Sequence, residues 1–234
     1  MLRVAEAIAE RLRGAALHEV PDRLCGLAVE LLPVCGASVS LLSEGLSVPV
    51  GASDEAAAGM AEMQTSLGDG PWQRAAEHAR PVLAGDLTAG RDVLRWPVYA
   101  EQATAAGIRA TYSLPLGNET VCLGTFDLYS ATPGPLSAHD LRVARLVAGV
   151  LTVALSSLPC AQEDTIDPAS SWLSGLTSEH DQIHQAVGMI MAQLGVTAEE
   201  ALARLRGHAF SHGRTALETA HDVVRHRERL EDPD

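Results

Sequence analysis

The stretch IHQAVGMIMAQLGVTAEEALARLRGHAFSHGRTALETAHDVVRHRER, residues 183–229, decides the fold of the C-terminal part of this 234-residue chain. Apolar residues recur at helical spacing from Ile183 to Leu194, and Gly195 then ends the pattern. Two further runs with the same spacing follow, over residues 201–209 and 217–224. The stretch therefore predicts three short helices that pack as one small bundle.

The second and third helices each begin with the same local signal. Thr197 precedes Glu200 by three residues, and Thr215 precedes Glu218 by three residues. This spacing is typical of a capping box, in which a hydroxyl and a carboxylate satisfy free amides of the first helical turn. Both pairs predict the N-terminus of a helix.

The first 158 residues have a different pattern, with short β-rich runs between helices. The runs 109–116 and 121–130 are joined at Gly117 and Asn118, which predicts a β-hairpin. A long apolar helix is expected after Ser137. Further helices are predicted at 2–16, 24–32, 55–65, 73–78 and 98–106, and further strands at 37–42, 46–50 and 82–84. Helices around an antiparallel sheet indicate an α+β domain.

The charge of the chain is distributed unevenly. The formal net charge is -13, yet residues 183–229 carry about +1, so the remainder carries about -14. Acidic proteins are poor binders of nucleic acid unless positive charge is concentrated in one segment. The unevenness is modest, but it favours the C-terminal segment for any contact with nucleic acid.

The cysteines and the apolar runs indicate the compartment. The four cysteines form no C-x-x-C pair, the charged N-terminus does not resemble a signal peptide, and no apolar run approaches the length of a membrane span. We therefore expect a cytoplasmic protein with reduced cysteines and no contact with membranes.

Four segments of the N-terminal part carry a resemblance to a known family. They are GDGP (68–71), RPVLAGDL (80–87), RWPVYAEQATAAGIRATYSLPL (95–116) and CLGTFDLYSATPGPLS (122–137). In this order they resemble a GAF domain, of the kind joined to ANTAR domains in high-GC bacteria. The resemblance implies a sensor domain with a pocket for a small ligand or a surface for a protein partner. Trp72 departs from the pattern, because cysteine often follows the GEGP-like turn.

Four residues are candidates for the sensor pocket, namely Trp72, Trp96, Tyr112 and Asp127. The alternative for the aromatic residues is an ordinary place in the core, where large apolar groups are usually buried. The alternative for Asp127 is the surface or the edge of the sheet. No motif of the cyclic-nucleotide-binding GAF domains and no haem motif is present, so no cofactor is expected.

The C-terminal stretch also resembles a known family. The segments QAVGMIMAQLGVTAEEALARLR (185–206) and HAFSHGRT (208–215) are similar in order and spacing to an ANTAR domain. This resemblance implies a three-helix antiterminator module that binds RNA. The sequence departs from the pattern at Val187, often lysine, at Ala216, often leucine, and at Thr219, often a branched apolar residue.

The residues around the joint between the second and third helices suit recognition of an RNA loop, which uses backbone charge and stacking on planar side chains. The candidate RNA-binding residues are Arg206, His208, Phe210, Arg214, Gln185 and Arg204. Phe210 has the alternative role of closing the core of the bundle, and Arg204 the alternative of a solvated helix face.

Other chemistries have weaker support in the sequence. Some GAF-like proteins are thiol reductases, but these need an accessible thiolate and a resolving partner. His208 and His212 have the spacing of metal ligands on a helix, yet no third ligand is evident. Phosphotransfer and hydrolase motifs are absent. We therefore expect a protein that is not an enzyme and holds no metal.

The sequence thus predicts a GAF-like sensor at 1–158, a linker at 159–178 and an ANTAR-like three-helix domain at 179–234. The expected function is a signal-responsive transcription antiterminator that binds paired RNA stem-loops as a homodimer. Two alternatives stay open: a DNA-binding regulator, and a ligand-binding or dimerisation protein whose ANTAR-like domain has lost its affinity for RNA.

Overall fold

The computed structural model of the chain describes residues 2–43, 46–118, 120–157, 168–227 and 230. They fall into two units, one drawn from residues 1–64 and 69–160 and the other from residues 65–68 and 161–234. No helix in these ranges is long and apolar enough to cross a membrane.

The first part of the chain alternates helices with the strands of one sheet, as the sequence pattern predicts. A short 3₁₀ turn lies between the first two helices. The elements are α1 (Leu2–Leu12), α2 (Val20–Leu31), β1 (Gly36–Ser43), β2 (Leu46–Ala52), α3 (Glu55–Leu67), α4 (Pro71–His78), β3 (Val82–Ala84), α5 (Gly90–Arg95), α6 (Pro97–Ala105), β4 (Ala110–Gly117), β5 (Cys122–Ser130) and α7 (Ala138–Ser156).

The five strands form one antiparallel sheet in the order β2-β1-β5-β4-β3. The hairpin predicted at Gly117 joins β4 to β5, and the predicted cap of α7 is present, because the Ser137 hydroxyl accepts a hydrogen bond from the Asp140 amide. The α+β prediction for this part of the chain is confirmed.

The two faces of the sheet differ in chemistry. Since side chains alternate along a strand, the register places Val39, Phe126 and Leu114 on one face. These residues are fully buried, and α2 and α7 pack against the sheet and against each other. On the opposite face, Ser38, Asp127 and Ser113 are aligned across β1, β5 and β4. Helix α4 packs against β3, β4 and β5.

Three further helices form the C-terminal bundle: α8 (Pro168–Leu194), α9 (Ala198–Ser211) and α10 (Ala216–Val224). Each of the three packs against the other two. Gly195 and Gly213 follow α8 and α9 with φ angles of 67° and 64°, in the left-handed region that glycine adopts at low cost. The predicted three-helix bundle is confirmed.

Three local predictions differ from the structure. The Thr197 hydroxyl accepts from the Glu200 amide, but the Glu200 carboxylate bonds Arg204 at 2.9 Å, so α9 has only half of a capping box. Helix α8 begins at Pro168, inside the segment interpreted as a linker, and the rest of that segment, 159–167, lies outside the described residues. Helix α5 has no counterpart among the predicted elements.

Candidate functional site

The joint between α9 and α10 brings several of the predicted RNA-binding residues into one neighbourhood. Phe210 lies in the last turn of α9 and is 49% exposed, so it does not close the core of the bundle. The imidazole rings of His208 and His212 stack with their centroids 4.2 Å apart. Planar side chains thus lie at the surface of this joint, as stacking on unpaired bases requires.

Arg214 connects the joint to α10. Its Nη2 donates to Asp222 Oδ2 at 2.6 Å and to the Glu218 carbonyl oxygen at 3.0 Å. The hydrogen bond from Arg214 lowers the pKa of Asp222, and the nearby Arg227 acts in the same direction. The guanidinium of Arg214 is therefore held in one place at the start of the third helix.

The remaining predicted residues lie on two helices. Arg204 and Arg206 are on α9, and Arg204 pairs with Glu200 of the preceding turn. The Nε and Nη2 atoms of Arg206 are buried, so the prediction of an exposed RNA contact at this residue is not supported. Gln185 is exposed on α8. The candidate surface is thus centred on the C-terminal end of α9, with Gln185 on a neighbouring helix.

Sequence reasoning missed a groove between α8 and α10. It has a volume of about 390 Å³, and Arg214 and Asp222 form part of its wall. Gln182, Leu217 and His221 line it as well, and Gln182 Oε1 lies 3.1 Å from His221 Nδ1. The spacing of Leu217 and His221, four residues apart on one helix, is a signal that could have found it.

Two of the three departures from the ANTAR pattern, Val187 and Thr219, have structural explanations. Val187 is buried with Ile183 and Ile190 on the inner face of α8, so this position contributes to the core. The hydroxyl of Thr219 donates to the Thr215 carbonyl oxygen at 3.1 Å, which satisfies a polar group inside the bundle.

The four predicted sensor residues are all buried, but they do not form one cluster. Tyr112 pairs with Leu128 across the sheet and lies on the face opposite to Asp127. Its hydroxyl donates to the Gly134 carbonyl oxygen at 2.5 Å. Trp96 lies between α5 and α6 with the guanidinium of Arg95 over its ring. Only Trp72 and Asp127 belong to the polar side of the sheet.

Asp127 is 1% exposed at the centre of the sheet. Its carboxylate accepts hydrogen bonds from Ser113 Oγ and from Thr125 Oγ1, the latter at 2.8 Å. Burial raises the pKa of Asp127 to about 6, against the effect of these two hydrogen bonds. The carboxylate is therefore ionised at neutral pH but held in a place that disfavours the charge.

Two tyrosines extend this polar arrangement. Tyr129 Oη lies 2.8 Å from Ser38 Oγ and accepts a hydrogen bond from Gln64 Nε2 at 3.1 Å. Tyr99 Oη lies 2.9 Å from Thr111 Oγ1. Burial raises the pKa of both tyrosines, so both hydroxyls keep their protons. Sequence reasoning missed these partners, although polar residues at every second position of three strands were a visible signal.

Two of the described cysteines, Cys25 and Cys122, lack the features of a reactive thiolate, whereas Cys35 is exposed and in no disulfide. Burial raises the pKa of Cys25 and of Cys122, and neither residue is in a disulfide. Cys160 lies outside the described residues. A reductase needs a low-pKa thiolate, so these two residues do not support that chemistry. No group of three metal-ligating side chains occurs within the described ranges.

Comparison with protein families gives two matches. Residues 14–156 match the family model of a GAF domain, and residues 176–224 match that of an ANTAR domain. Among curated proteins, none matches the chain.

Solved structures resemble the N-terminal part. The GAF domain of a phosphoenolpyruvate-protein phosphotransferase from Coxiella burnetii has 14% identity and a TM-score of 0.52, over 66% of this chain and 92% of that one. The corresponding domain from Acinetobacter has 11% identity and a TM-score of 0.51, over the same shares of the two chains. At this identity the likeness concerns the fold alone. The family model of the GAF domain matches more than half of this chain, so the chain belongs to the GAF domain family and, with its C-terminal ANTAR domain, is a regulator of the ANTAR type.

Proposed function

We propose that this protein is a signal-responsive transcription antiterminator, which binds paired stem-loops of a nascent RNA through its ANTAR domain under control of its GAF domain. The observation that carries the proposal is the joint between α9 and α10 of a matched ANTAR domain, where Arg214, His208 and Phe210 offer a cation and planar rings. No covalent step is part of this function, and we propose that the protein is not an enzyme.

Two stem-loops call for two binding modules at a suitable spacing, so we infer that the protein acts as a homodimer. The outer side of α7 supports this inference, because Leu146 and Val150 are only partly buried there and Val153, at the same helical spacing, is 68% exposed. A run of incompletely covered apolar side chains along one side of a helix is suited to contact with a second copy.

The DNA-binding alternative has less support. A recognition helix needs polar and basic side chains that reach base edges. Within α10 (Ala216–Val224), which is described in full, Glu218 is the only exposed residue. Its carboxylate accepts a hydrogen bond from the Thr215 amide and so caps the helix. A negatively charged carboxylate at this place would repel the phosphates of a DNA duplex.

A gel-shift assay with the full chain tests the proposal. We expect a hairpin RNA pair to be bound more tightly than a DNA duplex of equal length. Preference for the duplex would support the DNA-binding alternative, and binding of neither would support the alternative of lost RNA affinity.

Two substitutions separate an RNA contact of Arg214 from a structural role. We expect Arg214→Ala to weaken hairpin binding about tenfold or more, since a charge-assisted contact is worth on the order of 1.5–3 kcal/mol. Asp222→Asn is the matched control, because it removes the ion pair of Arg214 but keeps the guanidinium. It should leave the affinity unchanged or raise it. Equal losses in the two variants, with helical circular dichroism retained, would mean that Arg214 acts only by holding α10.

A further inference from the structure

The polar side of the sheet is unusual for a buried surface. Seven polar residues lie on it, and we call this surface the hydroxyl face: Ser38, Ser40, Thr111, Ser113, Thr125, Asp127 and Tyr129. All seven are buried, although the face of a sheet that packs under helices is ordinarily apolar. Buried polar groups stabilise a core only when they are fully paired, so a buried polar atom without a partner on this face needs an explanation.

Asp127 is the charged centre of the hydroxyl face. Its two hydrogen bonds come from neutral hydroxyls of Ser113 and Thr125. Within the described ranges, no arginine or histidine forms an ion pair with it. A buried carboxylate without a counter-charge is unfavourable, so this position favours a positively charged group that comes from outside the chain.

An independent observation points to the same place. Gln64 is 2% exposed and donates its amide to Tyr129 Oη, but its Oε1 atom is buried and has no hydrogen-bond partner in the described part of the structure. The indole Nε1 of Trp72 is likewise buried without an acceptor. Buried atoms of this kind are rare in native proteins and call for an explanation.

Trp72 covers part of the hydroxyl face. The space between its indole ring and the strand residues Ser40 and Thr125 does not admit a water molecule. Trp72 is the second residue of α4, and unusual backbone angles flank this helix: φ is 153° at Gly70 and 49° at Ala79. A non-glycine residue in the left-handed region is strained, which is common at sites that change conformation.

We propose that the hydroxyl face binds a small, flat organic cation of the amidinium class, whose N–H groups bond Asp127 and Gln64 Oε1 once the Trp72 ring has moved aside. The inference rests on the proposed function, because it names the class of signal that the GAF domain receives. Two acceptors and no basic group select for a donor-rich cation and against an anion.

Three compounds of nearly equal size and shape test the charge preference with the full chain: benzamidine, benzamide and benzoate. Binding is measured by isothermal titration calorimetry and by the shift in Tm, without RNA. We expect benzamidine to bind at least tenfold more tightly than benzamide, and benzoate not to bind. Three results would overturn the inference. Benzamide could bind as tightly as benzamidine, benzoate could bind more tightly than benzamidine, or neither the native chain nor Trp72→Ala could bind any of the three compounds.

Variants identify the residues. Asp127→Asn should abolish the preference for benzamidine over benzamide, whereas Glu77→Gln, which removes a charge from the exposed side of α4, should leave it unchanged. Trp72→Ala should bind benzamidine at least tenfold more tightly than the native chain. A cavity alone would accept benzamide equally, and that result would also contradict the inference.

Gln64→Leu provides a second test if Asp127→Asn does not fold, and it should weaken benzamidine binding while the carboxylate is retained. Because no RNA is present, failure of the hairpin gel shift would leave these results standing. Conversely, hairpin binding without any charge preference in the calorimetry would overturn this inference and leave the RNA-binding proposal intact.

Discussion

At the scale of single residues, Asp127 makes the stability of the GAF domain depend on pH. An aspartate in an unfolded chain titrates near pH 3.9, whereas burial raises the pKa of Asp127 to about 6 in the folded protein. Between these values the native state binds a proton that the unfolded state has lost. The contribution is therefore most favourable below about pH 3.9 and is lost as the pH rises through 6, by about 3 kcal/mol in all.

The substitution Asp127→Asn removes this dependence. We expect the free energy of unfolding of the variant, minus that of the native protein, to increase by about 2 kcal/mol between pH 4 and pH 7, which covers most of this titration. This difference is measured by urea unfolding at several pH values, with tryptophan fluorescence as the signal. The contributions of the other titrating groups are the same in both proteins and cancel in the difference. Glu77→Gln, which removes a negative charge from the exposed side of α4, serves as the control for the loss of one charge. A flat difference for Asp127→Asn would mean that the carboxyl is not buried as described.

The sequence predicted Trp72 and Asp127 as sensor residues but not their surroundings. Ser113 and Gln64 contact this region only because of the strand register and the packing of α3. Register is set by pairing between distant segments, and a shift by one residue would turn each side chain to the other face. For the same reason, the sequence could not show that Tyr112 lies on the opposite face from Asp127.

At the scale of elements, local signals predicted most helices and strands. The hydrogen bonds that define the caps at Ser137 and Thr215 involve residues only three apart, so they are readable from sequence. Helix α5 was missed because its six residues are too few to establish a helical period. The start of α8 was misplaced because proline and serine, which favour loops, are also acceptable in a first helical turn.

Two glycines, one in a strand and one in a helix, differ in how much space surrounds them. A Cβ atom at Gly124 of β5 would lie 2.0 Å from the Ser40 carbonyl oxygen and 2.9 Å from Leu41 Cα, both in the backbone of β1. At Gly149 of α7, nothing lies within 4 Å of such an atom. Gly124→Ala should therefore push two central strands apart, whereas Gly149→Ala fits its helix.

We expect Gly124→Ala to lower the free energy of unfolding by about 1–3 kcal/mol, the usual cost of overpacking. Gly149→Ala should raise it by about 0.5–1 kcal/mol, because alanine loses less backbone entropy in a helix. Urea denaturation of both variants beside the native protein measures the two effects. A stable Gly124→Ala variant with native circular dichroism would contradict the close approach of β5 to β1.

At the scale of the whole molecule, the sequence predicted the order of the two domains, and the family matches at 14–156 and 176–224 agree with it. It also located the net negative charge outside residues 183–229. The number of copies that act together is a different kind of property. It depends on how the surface of one chain complements that of another, and periodicity within one chain carries little information about this.

The homodimer inferred from α7 leads to a prediction about RNA with two stem-loops. If two copies bind together, the second binding event is intramolecular, and the affinity for paired stem-loops should exceed that for a single one by on the order of 10²–10⁴. Val153→Arg adds a charge to the exposed apolar position of α7. We expect it to remove this gain while the affinity for a single stem-loop stays unchanged, because the ANTAR domain is not altered.

Gel shifts with one-loop and two-loop RNA, together with sedimentation velocity of the free protein, measure both consequences. Gln102→Arg is the charge-matched control, since Gln102 is exposed on α6 and the variant adds the same positive charge elsewhere. This control should keep the two-loop gain and the sedimentation coefficient of the native protein. If Val153→Arg also keeps both, then α7 is not the contact between copies; if it weakens one-loop and two-loop binding alike, the added charge acts on the ANTAR domain rather than on association.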